Sequence, residues 1–375
     1  MRILINDRLY PNKYSVWRNE EINYFINSDD IEVDILVFKI FDNAGISLEF
    51  DYDLVKDYLD DYNIFIFDPN LNHINRYNKR VDGTSYNGKY PGSYLLSKSR
   101  KPFIDNYDIV YHIFLNSFNS FNKKFDFPIE NQFIHLYPGG GFGLNTEEID
   151  REVRIITTHP LTSKIIEKNS NKFIECLMAP LSKTEIKTKN FDSLKINICF
   201  SSLGNSKQKG FGEYIEISKL YKERYPDDLV EFITISNYVY HGINLSPMDY
   251  KTLLYVYNNL VDIYINTETG ISFNGWPLGL EAASEGCLLI TTDPLNSSTH
   301  YNLEKDTFIV REQKDEFVDE IHKMYSNRIY MRDIGKNQKR FLDQHIIING
   351  HMEKIVGFMK ENIHNHYPIK IKKID

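Results

Sequence analysis

The segment 274–281 contains the residue types of a helix start that binds phosphate. Its loop reads Asn274-Gly275-Trp276-Pro277-Leu278, and an apolar stretch with two alanines follows. Glycine lets a ligand approach the backbone closely, and proline is favoured in the first turn of a helix. The free N–H groups of a helix start favour bound phosphates. The segment therefore predicts a helix whose first turn binds a diphosphate.

Glu281 lies about one turn inside this predicted helix. A carboxylate in that position accepts hydrogen bonds from vicinal hydroxyls, such as those of a ribose. The alternative is a helix residue on the surface that is stabilised by the helix dipole. Periodicity alone favours the alternative.

A second candidate phosphate site is the segment 198–212. Here an apolar strand runs into a polar loop, and Lys209-Gly210 then opens a predicted helix. A lysine beside a helix start adds a full positive charge to the oriented N–H donors. Because Lys-Gly pairs are common, the motif is informative only in this context of strand, loop and helix.

Strands and helices alternate along the chain, which predicts parallel βαβ units and an α/β fold. The strands are continuous apolar runs, as expected when helices cover both faces of a sheet. The predicted strands are 2–6, 33–38, 62–68, 107–115, 131–137, 154–158, 194–201, 229–235, 261–266 and 287–292. The predicted helices are 19–26, 161–168, 212–225, 247–258 and 277–285, with three more near 315–325, 329–343 and 351–363.

The polar, aperiodic stretch 182–192 divides the chain into two predicted domains. We assign 1–190 to a first domain and 191–349 to a second, and we expect the C-terminal helix 350–375 to join the first. Domains of ~100–200 residues are usual. The stretch 71–100 is rich in Asn, Tyr, Gly and Ser, and its turn signals predict a long loop without regular structure.

Composition and charge argue against several classes of protein. The 375 residues carry a net charge of −8, with 42% hydrophobic and 26% charged residues, which is typical of a soluble globular protein and unfavourable for nucleic-acid binding. Three dispersed cysteines in apolar runs predict buried thiols in a reducing compartment. Because neither a signal peptide nor a membrane-spanning run is evident, we expect a cytoplasmic location. The lysines at 370, 372 and 373 are interpreted as a solvated tail, with weak attraction to an anionic membrane as the alternative.

The segment 275–293 resembles the donor-binding element of glycosyltransferase family 4, a group of retaining enzymes with the GT-B fold. The shared pattern is a Gly-containing loop, a Pro, a helix with a Glu, a Gly and a strand ending in Thr-Thr-Asp. The preceding helix 250–255 and strand 262–267 are also similar to that family. The resemblance implies two Rossmann-like domains that face a central cleft, with C-terminal helices. The first domain would bind the acceptor and the second the donor.

The resemblance also implies roles for individual residues. Glu281 would bind the ribose of the donor nucleotide, and Lys209 would neutralise the leaving diphosphate, with Lys207 as the alternative. The other residues assigned to the donor site are Ser201, Ser202, Gly210, Asn274, Gly275, Trp276, Pro277 and Leu278. We expect neither a metal nor a cofactor beyond the nucleotide sugar itself.

Two positions depart from the family pattern. The family has Gly-Arg at the end of the strand where this chain has Ser201-Ser202, so the usual arginine is missing. The family also has a first Glu eight residues before the second, and that position is Phe273 here. Glu268 lies nearby but in a different register. An unusual donor, a substitute residue or a loss of activity would each account for these departures.

The first domain contains the candidates for the acceptor side. His112 is at the end of the apolar stretch 109–111, where the family often has a His near the transferred sugar. The alternative is a histidine that is hydrogen-bonded inside a buried strand, and the sequence favours neither interpretation over the other. His159 is a second candidate at a strand end. The Asp51–Asp53 pair is interpreted as a helix cap and His364–His366 as tail, in preference to metal ligands.

The resemblance, taken with these motifs, implies a retaining glycosyltransferase that needs no metal. It would transfer a sugar from a nucleoside diphosphate sugar to a glycan or lipid-linked acceptor, with weak membrane contact at the inner face as an option. Two alternatives stay open. One is a decayed GT-B scaffold that only binds, and the other is a sugar-nucleotide epimerase.

Overall fold

The computed structural model describes 1–7, 16–38, 63–68, 73–77, 93–94, 106–123, 125–136, 149–158, 160–176, 185–202, 210–236, 242–267, 275–292, 309–348 and 350–363. The chain divides into two compact units. Unit 1 comprises Met1–Thr157, Ser163–Ile174 and Lys354–Asp375. Unit 2 comprises Thr158–Thr162 and Glu175–Glu353. The domain limits at 190 and 349 stay predictions.

Unit 1 is built on a nine-stranded sheet with the order β5-β4-β3-β2-β1-β6-β7-β8-β9. The pairs from β3 through β2, β1, β6 and β7 to β8 are parallel, whereas β4 pairs antiparallel with both β3 and β5. The strands are β1 (Arg2–Asn6), β2 (Glu32–Phe38), β3 (Asn63–Asp68), β4 (His73–Tyr77), β5 (Ser93–Tyr94), β6 (Ile109–Ile113), β7 (Gln132–Leu136), β8 (Arg154–Thr157) and β9 (Phe173–Glu175).

Unit 2 is built on a six-stranded parallel sheet with the order β12-β11-β10-β13-β14-β15. The first strand is central and the chain winds outwards to one side and then to the other, as in a Rossmann fold. The strands are β10 (Ile196–Ser202), β11 (Val230–Ser236), β12 (Ile243–Leu245), β13 (Ile263–Asn266), β14 (Leu288–Thr291) and β15 (Ile309–Val310).

Nine α-helices lie within the described ranges. They are α1 (Val16–Ile26), α2 (Leu115–Asn122), α3 (Pro160–Lys168), α4 (Phe211–Arg224), α5 (Tyr250–Leu260), α6 (Gly275–Ser284), α7 (Lys314–Ser326), α8 (Arg328–Leu342) and α9 (His351–Asn362). A short 3₁₀-helix spans Ile129–Asn131, and a π-helix spans Asp343–Ile348 after α8.

The two faces of the second sheet bury different sets of apolar side chains. Cys199 and Leu289 face a cluster that includes residues of α5 and α6. Ile198, Phe200 and Ile290 face a cluster that includes residues of α4, α7 and α8. Successive strand residues point to opposite faces, so a strand covered on both sides is apolar throughout. This confirms the α/β fold that the continuous apolar strands predicted.

Each strand and helix predicted within the described ranges is present, with ends shifted by up to three residues. The stop of α6 at Gly286 is confirmed, since φ there is +90° and only glycine adopts this readily. The N–H of Gly286 donates to the oxygen of Ala283 and that of Cys287 to the oxygen of Ala282, which is a Schellman arrangement. The predicted absence of structure in 71–100 is wrong at β4 and β5. These short strands are stabilised by pairing, β4 with β3 and the edge strand β5 with β4, which their own composition does not reveal.

The three cysteines are reduced and buried, as predicted. Across the described residues, every helix is too short or too polar to cross a membrane.

Candidate functional site

The carboxyl edge of the second sheet carries the residues of the candidate site. The central strand β10 is flanked by β11 on one side and β13 on the other, so the chain reverses its winding direction between β10 and β13. Open α/β sheets bind ligands outside the strand ends at such a switch point. Here β10 ends at Ser202, and β13 ends at Asn266 with Thr267 directly after it.

Gly210 fixes the start of α4 against the end of β13. Its φ is +74°, and a Cβ at this position would lie 1.9 Å from the backbone oxygen of Thr267. In return, Thr267 Oγ1 donates a hydrogen bond of 2.6 Å to the oxygen of Gly210. Both the backbone conformation and the lack of space therefore require glycine in the Lys-Gly motif.

The helix α4 starts at a residue that has no side chain. Gly210 is the N-cap residue and supplies no side chain to cap it. A Cβ added to Gly212 would meet no atom within 4 Å. Helix starts without a side-chain cap leave N–H donors for water or a ligand. The acidic Glu213 lies in the same turn, so a bound anion would need a cation beside it.

Glu281 is buried, with 5% of its surface exposed, although it lies on a helix. Its neighbours Leu280, Ala282, Ala283 and Ser284 are buried too, because α6 is covered around most of its circumference. The alternative of an exposed helix residue is therefore wrong. A buried carboxylate needs hydrogen-bonding or charged partners to remain ionised.

A buried cluster of hydroxyls lies next to Glu281. Ser201 Oγ is 2.8 Å from the Tyr257 hydroxyl and 3.0 Å from the Tyr264 hydroxyl. Burial raises the pKa of both phenols well above the ordinary value, and the negative charge of Glu281 adds to the rise in each. Tyr257 and Tyr264 thus remain neutral donors close to a buried carboxylate.

The ends of β13 and β14 are tied together by polar side chains. Asn266 Nδ2 donates to Thr291 Oγ1 at 3.0 Å, and the N–H of Thr292 donates to the oxygen of Asn266 at 3.0 Å. Thr291 Oγ1 donates to the oxygen of Thr292 at 2.8 Å. The strand edge beneath the site is therefore a rigid hydrogen-bonded layer.

Several predicted donor-site residues fall within this region and others do not. Ser201, Ser202, Gly210 and Glu281 all lie at the switch point or on the helices that border it. Gly275, Trp276, Pro277 and Leu278 form the first turn of α6, and Leu278 packs on the core. Lys207, Lys209 and Asn274 lie outside the described residues, as do Glu268 and Phe273.

His112 lies at the equivalent switch point of unit 1. It is the register partner of Asn6 on the neighbouring strand β1. Its ring is fully buried, and it makes edge contacts with Phe118 and Phe121 at centroid distances of 5.3 and 5.1 Å. Nδ1 is 2.9 Å from Asn6 Nδ2, and Nε2 is 2.9 Å from Gln132 Oε1.

These partners define the protonation state of His112. Asn6 Nδ2 also donates to the oxygen of Ser117, and Gln132 Nε2 donates to the oxygen of Phe127, so both amide orientations are fixed by carbonyl groups. Nδ1 must then accept and Nε2 must donate, which is a neutral ring. Burial lowers the pKa of His112 to about 3, in agreement with this assignment. The geometry favours the hydrogen-bonded alternative for His112 over direct contact with a sugar.

The acceptor-side candidate His159 falls outside the described residues. The same is true of the Asp51–Asp53 pair and the His364–His366 tail, which were interpreted as a helix cap and a solvated tail in preference to metal ligands.

Sequence reasoning missed the residues that support the named ones. Thr267, Tyr257, Tyr264 and Asn6 were not selected, although each contacts a selected residue. Thr267 could have been identified from the sequence, because a polar residue directly after a buried parallel strand lies at the edge of the sheet where ligands bind. The tyrosines carried no such signal, because an aromatic residue at a core position is ordinary.

No protein-family model matches the sequence, and no curated protein is significantly similar to it. The fold, in contrast, is similar to solved structures over nearly its whole length. A structure described as trehalose-6-phosphate from E. coli bound with UDP-2-fluoro glucose has a TM-score of 0.59 and 10% identity, covering 96% of this chain and 99% of that one. S. aureus TarM in complex with fondaparinux, α-GlcNAc-glycerol and UDP has a TM-score of 0.60 and 11% identity, covering 97% and 100%. A GtfA/B complex has a TM-score of 0.61 and 9% identity, covering 97% and 100%.

These structures are GT-B glycosyltransferases, and the likeness extends across both units. At such low identity it establishes the fold, and membership of glycosyltransferase family 4 stays a prediction. The two Rossmann-like sheets and the full-length similarity together show that this chain has the GT-B fold.

Proposed function

We propose that this chain is a retaining glycosyltransferase that takes a sugar from a nucleoside diphosphate sugar. The observation that supports this most strongly is the buried carboxylate of Glu281 on the helix between β13 and β14, together with the start of α4 at the switch point of the same sheet. A carboxylate and the N–H groups of a helix start are complementary to the two polar parts of a nucleoside diphosphate. The carboxylate accepts hydrogen bonds from ribose hydroxyls, and the helix start binds the diphosphate.

In the proposed reaction the bond between the anomeric carbon and the leaving diphosphate oxygen breaks. A bond forms from an acceptor hydroxyl to the same face of that carbon, and the hydroxyl proton passes to the leaving phosphate. The charge that develops on the diphosphate would be stabilised by the N–H groups of α4 and by Lys209. A cation is required there because Glu213 is in the same turn. With Lys209 in this role a divalent metal is not required.

The similar structures support the choice of substrate class. Two of them were solved with UDP or a UDP-sugar analogue, and one of these also contained α-GlcNAc-glycerol. We extend this to a glycan or lipid-linked acceptor for the present chain, used at the cytoplasmic face of the membrane. His112 is proposed as a residue that positions the acceptor side of unit 1 through Asn6 and Gln132.

The first test is a thermal-shift series with UDP, GDP, ADP, CMP and dTDP, each with and without EDTA. A nucleotide at ~100 times its Kd stabilises the bound state by about 2.7 kcal/mol. For a unit of this size that raises Tm by roughly 5–10 °C. One nucleotide should give this shift whether or not EDTA is present.

Glu281→Gln should weaken binding of that nucleotide roughly 10- to 100-fold, because a hydrogen bond to a charged group contributes about 1.5–3 kcal/mol. The matched control is Glu223→Gln, which removes an exposed carboxylate from α4 far from the site. Equal nucleotide affinity in the two variants would contradict the assignment of Glu281.

A decayed GT-B scaffold is the second candidate, and one observation favours it. Ser202 is buried where the family has its arginine, and the hydroxyl of Ser201 is engaged with two tyrosines inside the core. Neither serine can supply the missing charge. Nucleotide binding without release of sugar to any acceptor, or to water, would support the scaffold. An epimerase would instead convert the donor sugar without an acceptor, which product analysis would show.

A further inference from the structure

A cavity in unit 2 is lined by positive charge on the side away from the candidate donor site. It has a volume of about 140 Å³ and is bordered by Ala283, Gly286 and Cys287, at the end of α6 and the start of β14. The first turn of α6, which belongs to the candidate donor site, is at the opposite end of this 10-residue helix. Glu281 is only two residues before Ala283, but at 3.6 residues per turn the side chains of these two positions are on nearly opposite sides of the helix. The cavity is therefore distinct from the donor site.

Five cationic side chains line this cavity, and none of its described lining residues is acidic. Three belong to α8, where spacings of four and three residues place them along one face of the helix. The other two come from the extended segment 185–190. The five are Lys187, Lys189, Arg332, Lys336 and Lys339.

The two lysines of the extended segment are held in place by buried groups. Lys189 Nζ donates to the oxygen of Tyr257 at 2.6 Å and also to the oxygen of Val261. Lys187 Nζ is 2.7 Å from the carboxylate of Glu285, which is almost fully buried. Both ammonium groups are thus held in defined positions, that of Lys189 by neutral carbonyl oxygens and that of Lys187 beside a carboxylate, so the charge available to a ligand comes mainly from α8.

The three cations of α8 are paired with carboxylates outside the cavity lining. Lys336 pairs with Asp333 at 3.2 Å, Lys339 with Asp343 at 2.5 Å, and Arg332 approaches Asp192 at 3.8 Å. Most of these groups are well exposed, and exposed pairs contribute little stability. The α8 side chains can therefore turn to an anion in the cavity at small cost.

We propose that this cavity binds a compact phosphate-bearing anion, either inorganic phosphate or the phosphate group of a small phosphorylated molecule. A cavity of ~150 Å³ is known to hold a ligand the size of benzene, so this one accepts a phosphate and is too small for a nucleotide. The planar fork of Arg332 suits two phosphate oxygens, and the lysines act as point charges around the others. The proposal does not depend on the proposed transferase function.

The test is titration calorimetry of the full chain with inorganic phosphate in the millimolar range, at an ionic strength matched with sodium chloride. We expect saturable binding to one site. Lys336→Gln combined with Lys339→Gln should weaken it about tenfold or more, equivalent to ~1.4 kcal/mol. The matched control combines Lys219→Gln with Lys222→Gln, which removes the same charge from exposed positions on α4. Circular dichroism should show that both variants are folded.

Three results would overturn the proposal. The first is an absence of saturable binding. The second is equal phosphate affinity in the two double variants, which would also be the outcome if phosphate bound at the donor site. The third is that free phosphate does not bind, whereas vesicles of phosphatidylglycerol and phosphatidylcholine do bind and their binding requires Lys336 and Lys339. The cationic surface would then be a membrane contact.

Discussion

Replacement of Gly210 by alanine would test how the start of α4 is held against β13. The residue has a φ of +74°, and the new Cβ would lie 1.9 Å from the backbone oxygen of Thr267. A left-handed conformation costs a residue with a side chain about 1–2 kcal/mol. Relief of the overlap by moving backbone adds about 1–3 kcal/mol, by analogy with overpacked cores.

One effect acts in the opposite direction, since alanine restricts the unfolded chain and stabilises the fold by about 0.4–1 kcal/mol. The net loss for Gly210→Ala is therefore about 1–5 kcal/mol, and the middle of each range gives about 3 kcal/mol. For a domain of this size, a loss of about 3 kcal/mol should lower Tm by roughly 6–12 °C. Thermal unfolding followed by circular dichroism measures the loss.

The matched control is Gly212→Ala, two residues further along the same helix. A Cβ there meets nothing within 4 Å, and alanine is favoured over glycine in a helix by up to ~1 kcal/mol. This variant should be as stable as the wild type or slightly more so. Equal Tm values for Gly210→Ala and Gly212→Ala would refute the argument that this contact requires glycine.

Further predictions concern the buried polar clusters. The fold lowers the pKa of His112 from 6.5 to about 3. The free energy of unfolding is therefore highest above pH ~6.5 and decreases as the pH falls, because the unfolded state takes up a proton that the folded state does not. The decrease should be about 2 kcal/mol at pH 5. Urea unfolding at several pH values should show a smaller decline for His112→Asn than for the wild type. Thr267→Val should cost about 1 kcal/mol through loss of the bond to Gly210, whereas Thr267→Ser should cost less. A double-mutant cycle of Ser201→Ala and Tyr257→Phe should give a coupling energy of about 1 kcal/mol, and a value near zero would contradict the hydrogen bond.

The sequence by itself determined the α/β class and the helix that carries Glu281. Hydrophobic runs of strand length and helical spacing are local properties, so β10, β11, β13, β14 and α4 to α8 were predicted with small shifts at their ends, whereas the short strand β12 was missed. The stop of α6 was equally local, because a glycine in the left-handed conformation ends a helix wherever it is placed. The resemblance at 275–293 then indicated the GT-B fold that the structural comparisons confirm.

Tertiary structure decided which of these residues meet. Asn6 bonds to His112 across 106 residues of sequence, and Thr267 bonds to Gly210 across 57. Periodicity placed Glu281 on a surface, yet α6 is buried around it because packing partners come from distant parts of the chain. The lysines at 187 and 189 likewise meet the cationic face of α8 only in the folded unit. A sequence pattern reflects which residues of a helix or strand are buried and which are exposed. The residues that they contact in other helices and strands depend on the order of the strands in the sheet.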